Sequence, residues 1–320
     1  MNDPIKVVTV VGPTASGKTK LSVELAKRYN GEIISADSMQ IYRGMSIATA
    51  KPDAEERQGI PHHLMDFLPA DSTYSVAMFA EHAKKCIYDI SGRGKLPIIA
   101  GGTGLYIDSL LNNIQFSDAV RDEKLSQQLW DEYYANGADP LLEQLAEFDP
   151  DSAKRLSKEQ NPKRIIRAIE FYRSTGSTIT EQINNSKLIP SPFQPIKIGL
   201  NFRDREKLYD RINLRVDLML EQGLLEEAKQ VLTSSLSFTS VKAIGYKELA
   251  PYINNEDTLE NCVEKLKRET RRYAKRQLTW FRRDQEINWL YVDDYDSFNG
   301  LLSAAVSIID KGLLYGQTAI

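Results

Sequence analysis

The chain has 320 residues, 42% hydrophobic and 27% charged, with a net charge of −3, which is the make-up of a folded globular protein and not of a disordered one. It contains no apolar run long enough to cross a bilayer and no basic stretch followed by a signal core, so no membrane role and a cytoplasmic location are expected. Two cysteines (Cys86, Cys262) and three histidines (His62, His63, His82) fall in no metal-ligand spacing, which argues against a zinc site and fits a reducing compartment.

Residues 5–11 form a short β-branched apolar run, and a helical pattern follows over 18–29. Between them stands Gly12-Pro13-Thr14-Ala15-Ser16-Gly17-Lys18-Thr19, a full match to GxxxxGK[ST] in the strand–loop–helix setting that this motif requires. Its glycines let the backbone curl so that N–H groups point inward at phosphate oxygens, and the following helix adds the positive end of its dipole. Lys18 supplies a point charge, and the Thr19 hydroxyl is placed to ligate Mg²⁺. The loop is expected to bind a di- or triphosphate. The motif does not separate ATP, the usual nucleotide of such loops, from other diphosphates.

A second apolar run, 32–35, leads to Asp37 in Ser35-Ala36-Asp37-Ser38-Met39-Gln40. A parallel sheet would set this carboxylate beside the phosphate loop, where it can bind Mg²⁺ or act as a general base. The same position suits a turn-capping aspartate, and spacing leaves both open. Next come His62-His63 in IPHHLMD, read as a structural loop that closes over the sheet, and a helical pattern over 76–90. A third apolar run, 97–100, ends at Gly101-Gly102. Strands alternating with helices predict an α/β fold: a P-loop NTPase-like parallel sheet flanked by helices, with ligands at the carboxyl ends of the strands.

After residue 111 the texture turns polar and helical until Pro190, Pro192 and Pro195, and a β-like run resumes at 196–200. The reading is a P-loop catalytic core over 1–111 and 191–320, interrupted by a helical insertion domain, 112–190. Within the insertion, 154–173 carries seven Lys/Arg against two acids. Later, Val263, Leu266, Thr270, Tyr273, Gln277 and Trp280 mark one face of a long helix, which assigns Trp280-Phe281 to the core. Arg268, Arg271, Arg272, Lys275 and Arg276 fall largely on another face, within a segment (265–283) of nine Lys/Arg and one acid. Such a face is either merely solvated or a phosphate-binding patch masked in the total by the acidic tail.

The ordered set GPTASGKT (12–19), ISADSMQIYRGM (34–45), ATAKP (48–52), IPHHLMD (60–66) and AGGTGLYI (100–107) closely resembles the tRNA dimethylallyltransferases, or tRNA isopentenyltransferases, of the IPP transferase family. NPKRIIRAIE (161–170), DRINLRVDLML (210–220), VKAIGYKEL (241–249) and TRRYAKRQLTWFR (270–282) continue the resemblance along nearly the whole chain. It implies transfer of a dimethylallyl group from dimethylallyl diphosphate to the exocyclic N6 of the adenine 3′ of the anticodon, with Mg²⁺ as cofactor. The P-loop would hold the prenyl diphosphate, Asp37 would be the general base, and Thr19 and Arg215 would complete the catalytic set. Asp37, Ser38, Met39, Gln40, Thr103, Arg121, Lys163, Arg164, Ile165, Ile166 and Arg167 match positions that contact the anticodon stem-loop of tRNA, and 240–246 is expected along the RNA too. Two cysteines cannot build the zinc finger that often extends eukaryotic members, which points to the bacterial form; the chain is expected to act as a monomer. Two other readings share the loop: a small-molecule, nucleoside-type P-loop kinase with Asp37 as base toward a hydroxyl, and a non-catalytic RNA-binding module switched by nucleotide.

Overall fold

The structure, a computed structural model, describes residues 3–116, 122–233 and 243–314. The chain folds into two compact units, Met1–Leu110 with Pro192–Ile320, and Leu111–Ser191.

The first unit is built on six parallel strands in the order β3-β2-β4-β1-β5-β6. They are β1 (Ile5–Val11), β2 (Gly31–Ser35), β3 (His62–His63), β4 (Leu96–Gly101), β5 (Phe193–Asn201) and β6 (Asn288–Tyr291). The β-branched stretch Val7–Val11 is wholly buried, as expected of a central strand covered on both faces. Helices α1 (Lys18–Arg28), α2 (Ala54–Arg57), α3 (Val76–Gly92) and α4 (Gly104–Leu111) connect β1 to β4 and follow it. The carboxyl ends of the adjacent strands β2, β4 and β1 deliver Asp37, Gly102–Thr103 and the P-loop to one edge of the sheet.

Two elements differ from the sequence reading. His62-His63 is not a loop but a two-residue edge strand paired with Ile33 and Ile34. His63 Nε2 lies 2.7 Å from Glu32 Oε2, a carboxylate partner supplied by the neighbouring strand and 31 residues away in sequence. Glu32, itself buried, also takes both nitrogens of Arg93 and the Lys95 ammonium, which hold its carboxyl far below the usual carboxylate range, Arg93 most of all. Pro195 stands inside β5, opposite Val7. β6 joins β5 only from Ile198 onward, so the proline lies where one edge of β5 is unpaired and the missing N–H costs little.

The second unit is all helical among its described residues: α5 (Glu123–Asn136), α6 (Asp139–Ala146), α7 (Pro150–Glu159), α8 (Pro162–Thr175) and α9 (Ile179–Lys187). Leu129, Leu141, Leu145, Leu156, Ile165, Ile166 and Ile169 form its core. This corrects one expectation. Ile165 and Ile166 are 0% and 2% exposed, so their side chains pack the bundle and do not face RNA. Lys163, Arg164 and Arg167 on the same helix are exposed. Arg121 and residues 240–242 lie outside the described residues.

The chain returns through α10 (Arg205–Glu221), α11 (Leu224–Thr233), α12 (Tyr246–Ile253), the long α13 (Leu259–Phe281) and α14 (Phe298–Leu314). The capping hydroxyl of Thr258 accepts the Asn261 N–H and starts α13, which then buries Leu266, Ala274, Gln277 and Phe281 and exposes Arg268, Arg272, Lys275 and Arg276. Trp280 is structural: its indole N–H donates to Asp108 Oδ2 at 2.7 Å. Of 240–246, Ala243, Gly245 and Tyr246 are buried, with the Tyr246 hydroxyl donating to Glu227 at 2.9 Å. The same Glu227 carboxylate accepts the N–H groups of Ser46, Ile47 and Ala48 at 2.8, 2.8 and 2.9 Å, so it pins the segment after Asp37 to α11 and α12.

Candidate active site

The turn from β1 into α1 is strained in the way a phosphate cradle must be. Gly12 has φ +144°, and a Cβ there would lie 2.4 Å from the Leu200 carbonyl oxygen, so only glycine fits. Ala15 (φ 63°) and Gly17 (φ 92°) are also left-handed, and Gly17 caps α1 without a side chain, which leaves the first N–H groups of that helix free for a ligand. The Ser16 hydroxyl is buried with no hydrogen-bond partner among the described residues. Buried polar groups are rarely left so, and an anion or its metal is the natural partner.

Two cations face this loop without a carboxylate of their own. Lys18 Nζ donates to the carbonyl of Pro13 at 2.6 Å, and Arg215 Nη1 from α10 reaches Thr14 Oγ1 at 3.4 Å. Neither forms an ion pair within 4.0 Å among the described residues. Desolvation in the loop, with help from the Arg215 guanidinium and against the pull of Asp37, brings the Lys18 ammonium down from 10.5 to about 7. Arg215 is likewise lowered, first by burial, while Glu56 and Asp37 oppose. Arg211, one turn earlier on α10, donates from Nε to the Ala15 carbonyl at 2.9 Å and so braces the left-handed turn.

Asp37 takes the turn-capping role that its spacing left open and keeps one oxygen free of it. Its Oδ1 accepts the N–H of Met39 at 2.8 Å and of Gln40 at 3.3 Å, a turn cap. Its Oδ2 takes no hydrogen bond among the described residues, and its charge is felt by both Lys18 and Arg215. One oxygen fixes the turn and the other remains available beside the cradle. Ser38 donates its N–H to Thr103 Oγ1 at 3.1 Å, which brings two of the expected RNA-contacting residues together. Met39 is half-buried against the cluster around Tyr42 and Tyr246. Gln40 departs from its expected role: its amide nitrogen donates to the carbonyls of Thr49 and Ala50 and its oxygen accepts from Ser35. That side chain is committed to holding the loop.

The donor set suits a divalent cation held mainly by phosphate oxygens and water. It offers the Thr19 hydroxyl, which carries no hydrogen bond among the described residues, and the open oxygen of Asp37. No group of three or more His, Cys, Asp or Glu able to hold a metal occurs among the described residues. Mg²⁺, which keeps several waters and needs few protein ligands, fits such a set.

A profile of the family described as IPP transferase matches residues 40–284. The chain belongs to that family. It is 50% identical over 293 residues to a tRNA dimethylallyltransferase of Acetivibrio thermocellus, spanning 91% of this chain and 93% of that one. The crystal structure of a tRNA isopentenylpyrophosphate transferase from Bacillus halodurans is 41% identical, with a TM-score of 0.72 and coverage of 98% of this chain and 99% of that one. A eukaryotic dimethylallyltransferase solved acting on tRNA is 31% identical, with a TM-score of 0.82 and coverage of 98% and 80%. The IPP transferase profile begins after Asp37, so the P-loop and the aspartate enter the comparison through the whole-chain relatives. Membership in the IPP transferase family removes the ground from the kinase and nucleotide-switch readings.

Sequence reasoning missed Gln277, Arg211 and Glu227. Gln277 alone gave a signal, as a long polar side chain on the otherwise core-facing stripe of α13.

The lowered Lys18 has a measurable consequence. A diphosphate in the loop would restore its charge, so its binding above pH 7 would take up a proton. Affinity for dimethylallyl diphosphate should therefore fall about tenfold per pH unit above neutrality, where the diphosphate itself is fully ionised. Calorimetry in buffers of different ionisation enthalpy would show uptake approaching one proton, and Lys18→Arg should abolish it.

Proposed function

We propose that this chain transfers a dimethylallyl group from dimethylallyl diphosphate to the exocyclic N6 of the adenine 3′ of the anticodon in tRNA, releasing diphosphate. The observation that carries the reading is the pair of unpaired cations, Lys18 and Arg215, at a curled amide loop beside an aspartate with one free oxygen, in a chain of the IPP transferase family. The loop and these cations bind the diphosphate and stabilise the charge that grows on it as the allylic carbon–oxygen bond breaks. The adenine amine is a weak nucleophile because its lone pair is delocalised into the ring. Asp37 Oδ2 accepts its proton as the new C–N bond forms. Thr19 would hold a divalent cation, Mg²⁺, which when bound adds positive charge at the leaving diphosphate. The adenine must leave its stack to reach these groups, which is the general requirement of base-modifying enzymes.

The RNA is held by its phosphates through Lys163, Arg164 and Arg167, with Thr103 and Ser38 nearer the reacting base, and the basic face of α13 serves the backbone as well. Arg164 pairs with Glu159 at the surface, a weak contact that phosphate would displace, and Arg167 lies 3.6 Å from the buried Glu170. Replacing either arginine by alanine should weaken tRNA binding and lower the slope of log affinity against log salt by about one, while leaving dimethylallyl diphosphate affinity unchanged. The protein works as a cytoplasmic monomer in this scheme; among the described residues no helix is long and apolar enough to cross a membrane.

The deciding experiment is mass analysis of nucleosides from unmodified tRNA incubated with protein, dimethylallyl diphosphate and Mg²⁺, with AMP as competing acceptor. Dimethylallyl adenosine from tRNA supports the reading. A dimethylallyl group on AMP alone, or on neither acceptor, overturns it.

A further inference from the structure

Gln277 sits near the C-terminal end of α13 on its inward face, 6% exposed, with its amide spanning two loops that approach from different strands. Its Oε1 accepts the backbone N–H of Thr14 in the P-loop at 2.9 Å, and its Nε2 donates to the carbonyl of Gly102 at 3.1 Å. Beyond the strand pairing that ends at Val11 and Gly101, no backbone hydrogen bond joins 12–17 to 102–103 among the described residues. The amide is therefore their polar link. It allows no slack: a Cβ on Gly102 would stand 2.0 Å from Gln277 Nε2.

The loop on the far side of that link clasps the general base from both flanks. Thr103 donates its N–H to the Ala36 carbonyl at 3.1 Å, and its Oγ1 accepts the Ser38 N–H at 3.1 Å, which brackets Asp37 in the chain. Gly101 packs so tightly that a Cβ there would lie 2.2 Å from the Ala36 oxygen. Tyr273, one turn earlier on α13, lies beside Thr103 and Gln277.

We propose that Gln277 is a positioning residue that sets the separation between the diphosphate cradle and the Asp37 carboxylate. The proposal rests on the prenyl-transfer reading above. The reaction joins an atom of the group held by the P-loop to a nitrogen that Asp37 must deprotonate, so the distance between the two loops is the distance between the two reactants. An amide suits this task because it donates at one end and accepts at the other with fixed spacing. It also pairs the half-buried Thr14 N–H and the buried Gly102 carbonyl.

The test compares wild type, Gln277→Met and Gln277→Glu in steady-state transfer to tRNA, with dimethylallyl diphosphate affinity measured separately and rates expressed per folded molecule. Methionine keeps the length but loses both bonds. Its kcat should fall about 100-fold, the cost of a misplacement near 1 Å, with little change in KM for the diphosphate. Glutamate keeps the acceptor for Thr14 and should lie between. In an Asp37→Asn background, Gln277→Met should cost little more, because a residue that acts by placing the base has nothing left to place. The role is refuted if Gln277→Met turns over like wild type per folded molecule, if diphosphate affinity falls in step with kcat, or if its loss multiplies in full with that of Asp37→Asn. Should Gln277→Met fail to fold, the same three outcomes are read from Gln277→Glu. An inactive wild type refutes the functional reading, and the role with it; a wild type that transfers alongside indifferent variants refutes the role alone.

Discussion

Asp37→Asn should lower dimethylallyl transfer by at least about 100-fold, the usual contribution of a general base, while binding of tRNA and of dimethylallyl diphosphate survives. Asparagine is the informative replacement because the turn depends on an acceptor, not on a charge. A carbonyl oxygen can still take the N–H groups of Met39 and Gln40, as Oδ1 does now, so the loop geometry is kept. What disappears is the basicity of the second oxygen and a negative charge beside Lys18 and Arg215. Diphosphate binding should then hold or tighten, since one repulsive neighbour has gone. Asp37→Ala removes the cap as well, so the gap between the two variants measures the turn and the shared loss measures the base. Single-turnover transfer with tRNA in limiting amount reads both. Retention of more than about a tenth of the wild-type rate by Asp37→Asn would remove the base from the mechanism.

The parts of this protein that were legible in the sequence are those whose physics is local. The P-loop is a run of eight residues whose glycines are dictated by φ at Gly12 and Gly17, and the strands at 5–11, 32–35 and 97–100 are apolar runs that match β1, β2 and β4 to within one residue at each end. The parallel sheet followed from their alternation with helices. What stayed hidden depends on partners distant in the chain. His63 looked unaccompanied because Glu32 is brought to it by strand pairing, and β3 is too short to show any periodicity. Gln277 reaches residues 263 and 175 positions away, a distance that no window along the chain can span. The Glu227 carboxylate gathers three N–H groups of the 46–48 segment from about 180 positions away, again beyond any local window. The resemblance carried Ile165, Ile166 and Gln40 over as RNA contacts, but the two isoleucine side chains are buried and the Gln40 amide is bonded within its own loop. In α8 neighbouring positions point opposite ways, so Arg164 and Arg167 face solvent while the two isoleucines fill the core.

Arg215→Met should reduce transfer by about 10²- to 10³-fold, as removal of a preorganised donor from developing charge does, and should raise KM for dimethylallyl diphosphate as well. The guanidinium approaches the cradle from α10, with Arg211 beside it and no carboxylate within 4.0 Å among the described residues, though Glu56 and Asp37 act on it from farther away. In the free protein that arrangement is costly: Arg215 and Lys18 repel each other in a partly desolvated loop, which is one reason the lysine gives up its proton so readily. Bound diphosphate offsets the cost, and the charge gained on the leaving group exceeds that of the ground state, so the stabilisation is greatest where the bond is breaking. Two further results distinguish this role from a loss of structure. Without Arg215, the lysine should hold its proton to higher pH, so the break near pH 7 in diphosphate affinity should move upward. The unliganded fold should be no less stable at neutral pH, because an uncompensated cation has been removed; a thermal melt reads this. A variant that transfers normally, or whose affinity break stays near pH 7, would show that Arg215 lies outside the field of the cradle and that Lys18 carries the diphosphate alone.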